Sequence, residues 1–85
     1  MSTCVVYVGG LSEDASDDHL RALLEAYGEV AHTSVVRYKR SKKSAGYGFV
    51  QLVSREEALR AVKALDGTRL MNNRLRLFVT GALER

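Results

Sequence analysis

The segment Gly46-Tyr-Gly-Phe-Val-Gln-Leu-Val53 alternates with a period of two, and the two sets of residues it generates are chemically unlike. Successive side chains of a strand point to opposite faces, so Tyr47, Phe49 and Gln51 share one face while Gly48, Val50 and Leu52 share the other. The aliphatic set belongs on a core. The rings are thereby assigned to the far side of the same sheet, so the chain must fold around one sheet face and account separately for aromatics on the other.

The remaining segments supply partners for that strand. Cys4-Val-Val-Tyr-Val8 is a β-branched and aromatic run ended by Gly9-Gly10, and predicts a strand entering a turn. Leu20, Leu23, Leu24 and Tyr27 fall on one helical stripe behind Ser16, an N-cap residue followed by Asp17 and Asp18. A helix over about Asp17 to Tyr27 follows, with Gly28 in the left-handed position past its end. Val30 to Lys39 reads as a second strand, and Arg40 to Ser44, without an apolar residue, as a loop. Ser54-Arg-Glu-Glu57 is a capping box ahead of Ala58, Ala61, Val62 and Leu65, a helical stripe stopped by Asp66-Gly67. Leu75 to Thr80 alternates again, with Leu75, Leu77 and Val79 on one face and Arg76, Phe78 and Thr80 on the other. The order is βαββαβ, which predicts an α+β ferredoxin-like sandwich: a four-stranded antiparallel sheet with two helices on one face. Residues 1–85 form one expected domain, with a core over about 4–80 and a short tail over 81–85.

Two helices cover only one sheet face. By alternation Tyr7, Tyr47, Phe49 and Phe78 lie on the uncovered one, with Tyr38 as an expected fifth member, so five of the six aromatics face away from the packing side. A contiguous patch of exposed rings marks a binding surface. Charge points the same way. Thirteen Lys and Arg against ten Asp and Glu give a net charge of only +3, but Arg37, Lys39, Arg40, Lys42 and Lys43 place five cations within seven residues beside that face. Arg76 lies on it, while four of the six residues from Glu13 to Asp18 are acidic. Flat rings flanked by cations suit an unstacked nucleic acid, whose bases need faces to stack on and whose phosphates need positive charge.

Val6-Tyr-Val-Gly-Gly-Leu11 resembles the short hexapeptide of the RNA recognition motif family, and Ala45-Gly-Tyr-Gly-Phe-Val-Gln-Leu52 resembles its longer octapeptide. The resemblance runs from about Val5 to Thr80. It implies two to four nucleotides of single-stranded RNA lying across the sheet, Tyr7 and Tyr47 stacking successive bases and Phe49 packing against a base or between sugars. Tyr38, Gln51, Arg76, Phe78 and Thr80 are expected as secondary contacts, and Arg37, Lys39, Arg40, Lys42 and Lys43 as phosphate contacts. Three positions depart from the family pattern. Ala45 replaces a Lys or Arg, leaving Lys42, Lys43 or Arg76 to supply that charge; Leu52 replaces a closing aromatic but points to the core; Gly10 replaces an Asn.

Other functions find less support in the residues. The rings are also compatible with a protein-interaction module using the same sheet face or the helices, although Arg69-Leu70-Met71 lacks the Phe of an Arg-x-Phe element that serves some family variants. No carboxylate pair or Ser/His/Asp or Cys/His constellation stands out, and no enzyme is expected. Gly46 and Gly48 lie inside a strand, where they are expected to clear space beside the rings rather than to cradle a phosphate. Cys4, His19 and His32 are the whole soft-ligand inventory, at unrelated spacings, so no metal, cofactor or disulfide is expected. No window approaches 18 apolar residues and no basic flank precedes the first apolar run, so the expectation is an intracellular monomer without membrane contact. Its expected partner is single-stranded RNA, with single-stranded DNA able to replace it in vitro and protein partners left open.

Overall fold

The computed structural model describes residues 3–80; the expected tail over 81–85 lies outside the described residues. The order is β1 (Cys4–Gly9), α1 (Asp17–Glu25), β2 (Val30–Arg37), β3 (Ser44–Leu52), α2 (Arg55–Leu65), β4 (Arg69–Leu70), β5 (Asn73–Arg74) and β6 (Arg76–Thr80). Four strands form one antiparallel sheet in the order β2-β3-β1-β6, and β4 pairs with β5 in a separate small hairpin. Helix α1 packs on β2 and β3 and helix α2 on β1, β3 and β6, so both lie on one side. This is the ferredoxin-like βαββαβ fold.

The core lies between helices and sheet and is aliphatic. Val6, Val8, Val50, Leu52, Leu20, Leu24 and Leu75 are its largest fully buried side chains, and Tyr27 packs at its margin. Burying each such group contributes about 1.5–3 kcal/mol relative to exposure. Gly48 belongs to this side as well. A Cβ there would sit 2.6 Å from the Ser34 carbonyl oxygen and 3.2 Å from Leu20 Cδ1, so the missing side chain lets α1 and β2 close on β3, and the expectation that Gly48 makes room for the rings is corrected.

Both helices start at the expected serines. Ser16 Oγ accepts the His19 N–H while His19 Nδ1 accepts the Ser16 N–H, a reciprocal cap with His in the third position. Ser54 Oγ accepts the Glu57 N–H, but the Glu57 carboxylate reaches out to the Glu29 N–H instead of back to Ser54, so the expected box is half made. That carboxylate explains Gly28. Its φ is not positive, and a Cβ there would meet Glu57 Oε1 at 2.5 Å, so the glycine admits a side chain of α2 rather than a left-handed turn. Helix α1 ends at Glu25, two residues before the expected Tyr27.

Two local features were not anticipated. Strand β2 shifts register between Val30 and His32 and again between Val35 and Arg37, and it ends at Arg37 rather than Lys39. The β4–β5 hairpin turns through Met71 and Asn72, which have φ of 53° and 70°. Positive φ at both central residues is the mark of a type I′ turn, whose twist matches that of the flanking strands.

Candidate nucleic-acid interface

Strand register brings the rings together. Tyr7, on the central strand β1, stands opposite Phe49 of β3 on one side and Phe78 of β6 on the other. Next along β1, Gly9 stands opposite Tyr47 and Arg76. Tyr7 and Phe78 have ring centroids 4.6 Å apart with planes inclined by 21°, and Tyr7 and Tyr47 are 5.8 Å apart at 27°. Phe78, Tyr7 and Tyr47 thus form a row of nearly parallel rings crossing three strands. Phe49 stands edge-on to Tyr7 at 68° and to Tyr47 at 90°. Each such pair contributes about 0.5–1.5 kcal/mol beyond burial, a bias toward this arrangement before any ligand arrives.

Gly9 is the glycine that this row requires. An added Cβ would lie 2.5 Å from the Tyr7 hydroxyl oxygen and 2.8 Å from its Cε1, so the Tyr7 ring lies along β1 directly over Gly9. Among the described residues no helix covers this side, and Phe78 remains 53% exposed although it is a large apolar side chain.

The secondary positions divide. Gln51 is half-buried between Val5 and His32, and Arg76 is exposed beside Gly9. The Thr80 hydroxyl donates to the Val5 carbonyl at 3.2 Å, which leaves it only acceptor capacity toward a ligand. Tyr38 is 60% exposed and lies in the β2–β3 loop, outside the ring contacts of the cluster. The shift at Ala31 puts His32 opposite Gln51 and Ser34 opposite Phe49, both exposed, while Thr33 and Val35 are buried. His32 and Ser34 therefore border the ring face, which strand propensity alone did not indicate.

The basic loop is built by hydrogen bonds. The Tyr38 N–H donates to the Lys43 carbonyl and the Lys42 N–H to the Tyr38 carbonyl, both at 2.9 Å, with Lys42 at φ 63°. Arg37 Nη1 donates to the Lys42 carbonyl at 3.3 Å, which folds that guanidinium across the loop. Lys39, Arg40, Lys42 and Lys43 are exposed and make no salt bridge among the described residues. Of the acids near α1, Asp17 is engaged with β2: its Oδ1 accepts the Val35 N–H at 2.9 Å.

Residues 6–76 match the family described as the RNA recognition motif. The chain belongs to the RNA recognition motif family. Among relatives, glycine-rich RNA-binding protein 3, mitochondrial, of Arabidopsis thaliana is 39% identical over 67 residues, which cover 79% of this chain and 22% of that protein. The chain therefore spans about a fifth of that relative's length. Among solved structures, the RNA-binding protein PG1 superposes with a TM-score of 0.85 at 32% identity, covering 96% of each chain. A structure titled as a complex of the Sxl-lethal protein with RNA superposes with a TM-score of 0.85 at 32% identity, covering 91% of this chain and 46% of that one.

Within this motif the hexapeptide and octapeptide are the adjacent strands β1 and β3. The three departures from the family pattern have structural readings. Leu52 is fully buried, so its exchange for an aromatic is a matter of packing. Gly10 has φ +78° and abuts the Arg74 carbonyl oxygen so closely that a Cβ would collide with it. Ala45 is half-buried beside Gly46, whose φ is +93° and whose carbonyl accepts the Leu11 N–H.

Proposed function

We propose that this chain is a single-stranded RNA-binding module that holds two to four nucleotides on the open sheet face. The observation that carries the reading is the row Phe78, Tyr7 and Tyr47, three nearly parallel rings on a face that no helix among the described residues covers. Tyr7 and Tyr47 stack successive bases; Phe49, edge-on to both, packs against a base or between sugars. Gln51 and Arg76 meet base edges or the backbone, and Phe78 extends the platform. Thr80 accepts only. Lys39, Arg40, Lys42 and Lys43 contact phosphates from the loop, and Arg37 acts chiefly by shaping it. Binding is the whole activity, without a chemical step, and residues 1–85 act as one domain and as a monomer.

A role in RNA processing or post-transcriptional regulation fits such a module. An intracellular site is part of the same reading, supported by the mitochondrial relative named above. Stacking requires unpaired bases, whereas phosphate contacts alone accept a duplex. Fluorescence anisotropy with labelled random RNA should show single strands bound at least tenfold more tightly than a duplex of the same length. Equal affinity for the two would refute base stacking on these rings.

A further inference from the structure

Arg69 and Arg74 stand directly opposite each other in the short β4–β5 hairpin. Like charges at such a pair of positions repel. Both residues are exposed, and neither enters a salt bridge among the described residues. They border an open depression of about 490 Å³, whose other walls are Asn72 and Asn73 of the hairpin, Gly10 and Leu11 after β1, and Gly46 of β3. Among the described residues no carboxylate lines it. Gly10 and Gly46 bring bare backbone to its surface, and the close approach of Gly10 to the Arg74 carbonyl fixes the hairpin against the β1–α1 loop.

The depression adjoins the ring face. Gly46 immediately precedes Tyr47, Gly10 follows Gly9, and Gly9 lies between Tyr47 and Arg76. A strand stacked on Tyr47 and leaving the sheet at this end passes over the two arginines. An anion between two guanidinium groups turns their repulsion into paired attraction, and a phosphodiester supplies acceptor oxygens suited to guanidinium donors.

We propose that this depression is a phosphate subsite that holds the RNA backbone where it leaves the ring face, with Arg69 and Arg74 as its ligands and the side-chain amides of Asn72 and Asn73 as further donors. The proposal rests on the reading of the ring face as the RNA surface. It makes the hairpin a means of binding longer RNA more tightly than the rings alone can.

The test compares the whole chain with its Arg69→Gln/Arg74→Gln double variant on random single strands of three and eight nucleotides over a range of salt. For the unaltered chain, the log-log salt slope should be steeper on the longer strand by about 1.4, from two contacts at about 0.7 each. The double variant should lose that increment and about tenfold in affinity for the eight-mer, hold trimer affinity within twofold, and show no fall in thermal midpoint, since a repulsion is removed. An unchanged slope and eight-mer affinity would overturn the proposal, as would equal losses on both lengths. Amide shifts of Asn72 and Asn73 that respond to inorganic phosphate at fixed ionic strength but not to the eight-mer would assign the site to free phosphate and overturn it too. The ring-face reading fails separately, if Phe49→Ala leaves trimer affinity unchanged.

Discussion

Replacing Tyr47 with alanine separates binding from folding. Tyr47 contacts two rings, Tyr7 at 5.8 Å and Phe49 at 6.0 Å, faces Gly9 across the strand, and takes no part in the core. Losing one stacking platform costs about 1–3 kcal/mol of binding, which is roughly a 5- to 150-fold weaker Kd. The same change removes two ring pairs from the free protein. Because the face is open, each belongs near the lower end of about 0.5–1.5 kcal/mol, so stability falls by about 1 kcal/mol. For a chain of this size that lowers Tm by roughly 4–8 °C. Anisotropy with a random trimer, at a temperature well below the transition, gives the first quantity, and a circular dichroism melt gives the second. Affinity within twofold of the unaltered chain together with a fall in Tm of more than about 12 °C would refute the reasoning, because it would place the ring in the packing rather than in the ligand site.

The other predictions concern neighbouring parts of the same surface. Gly9→Ala puts a methyl where the Tyr7 ring lies, so trimer affinity should fall severalfold and the Tyr7 ring shifts should move while the sheet amides stay in place; unchanged affinity would show that the orientation of Tyr7 is immaterial. Leu52→Ala should destabilise by about 2–5 kcal/mol, with the folded fraction binding RNA normally, and a selective loss of affinity would put Leu52 on the wrong face. The salt slope on a trimer, whose two phosphodiesters set a ceiling of about 1.4 at about 0.7 each, should be about 1; a slope near zero would show that the loop does not contact phosphates.

The main lines of the fold were legible because they rest on long periodic signals. Alternation in Gly46 to Val53 and in Leu75 to Thr80 placed the rings on one face and Val50, Leu52 and Leu77 on the other, and the burial of those three agrees. Serine caps located both helix starts. What was missed depends on contacts between segments distant in sequence. The β4–β5 hairpin has two residues per strand, too few to show a period, and of its turn residues only Asn72 carries a left-handed preference. The shift at Ala31 re-aims His32 and Ser34, and nothing in a β-branched run announces it. The glycines show the same limit. Gly9 fits beneath a ring, Gly28 beside a carboxylate and Gly48 under a helix, three close approaches that the chain does not reveal until it is folded.

The central claim is that RNA lies across the rings of β1, β3 and β6. An amide and aromatic chemical-shift titration with a randomised pool of short single-stranded RNA tests it most directly. The account predicts that the largest changes fall on Tyr7, Gly9, Tyr47, Phe49, Arg76 and Phe78, with the helix amides from Asp17 to Glu25 and from Arg55 to Leu65 nearly still. Changes concentrated on those helices, with the rings unmoved, would contradict it.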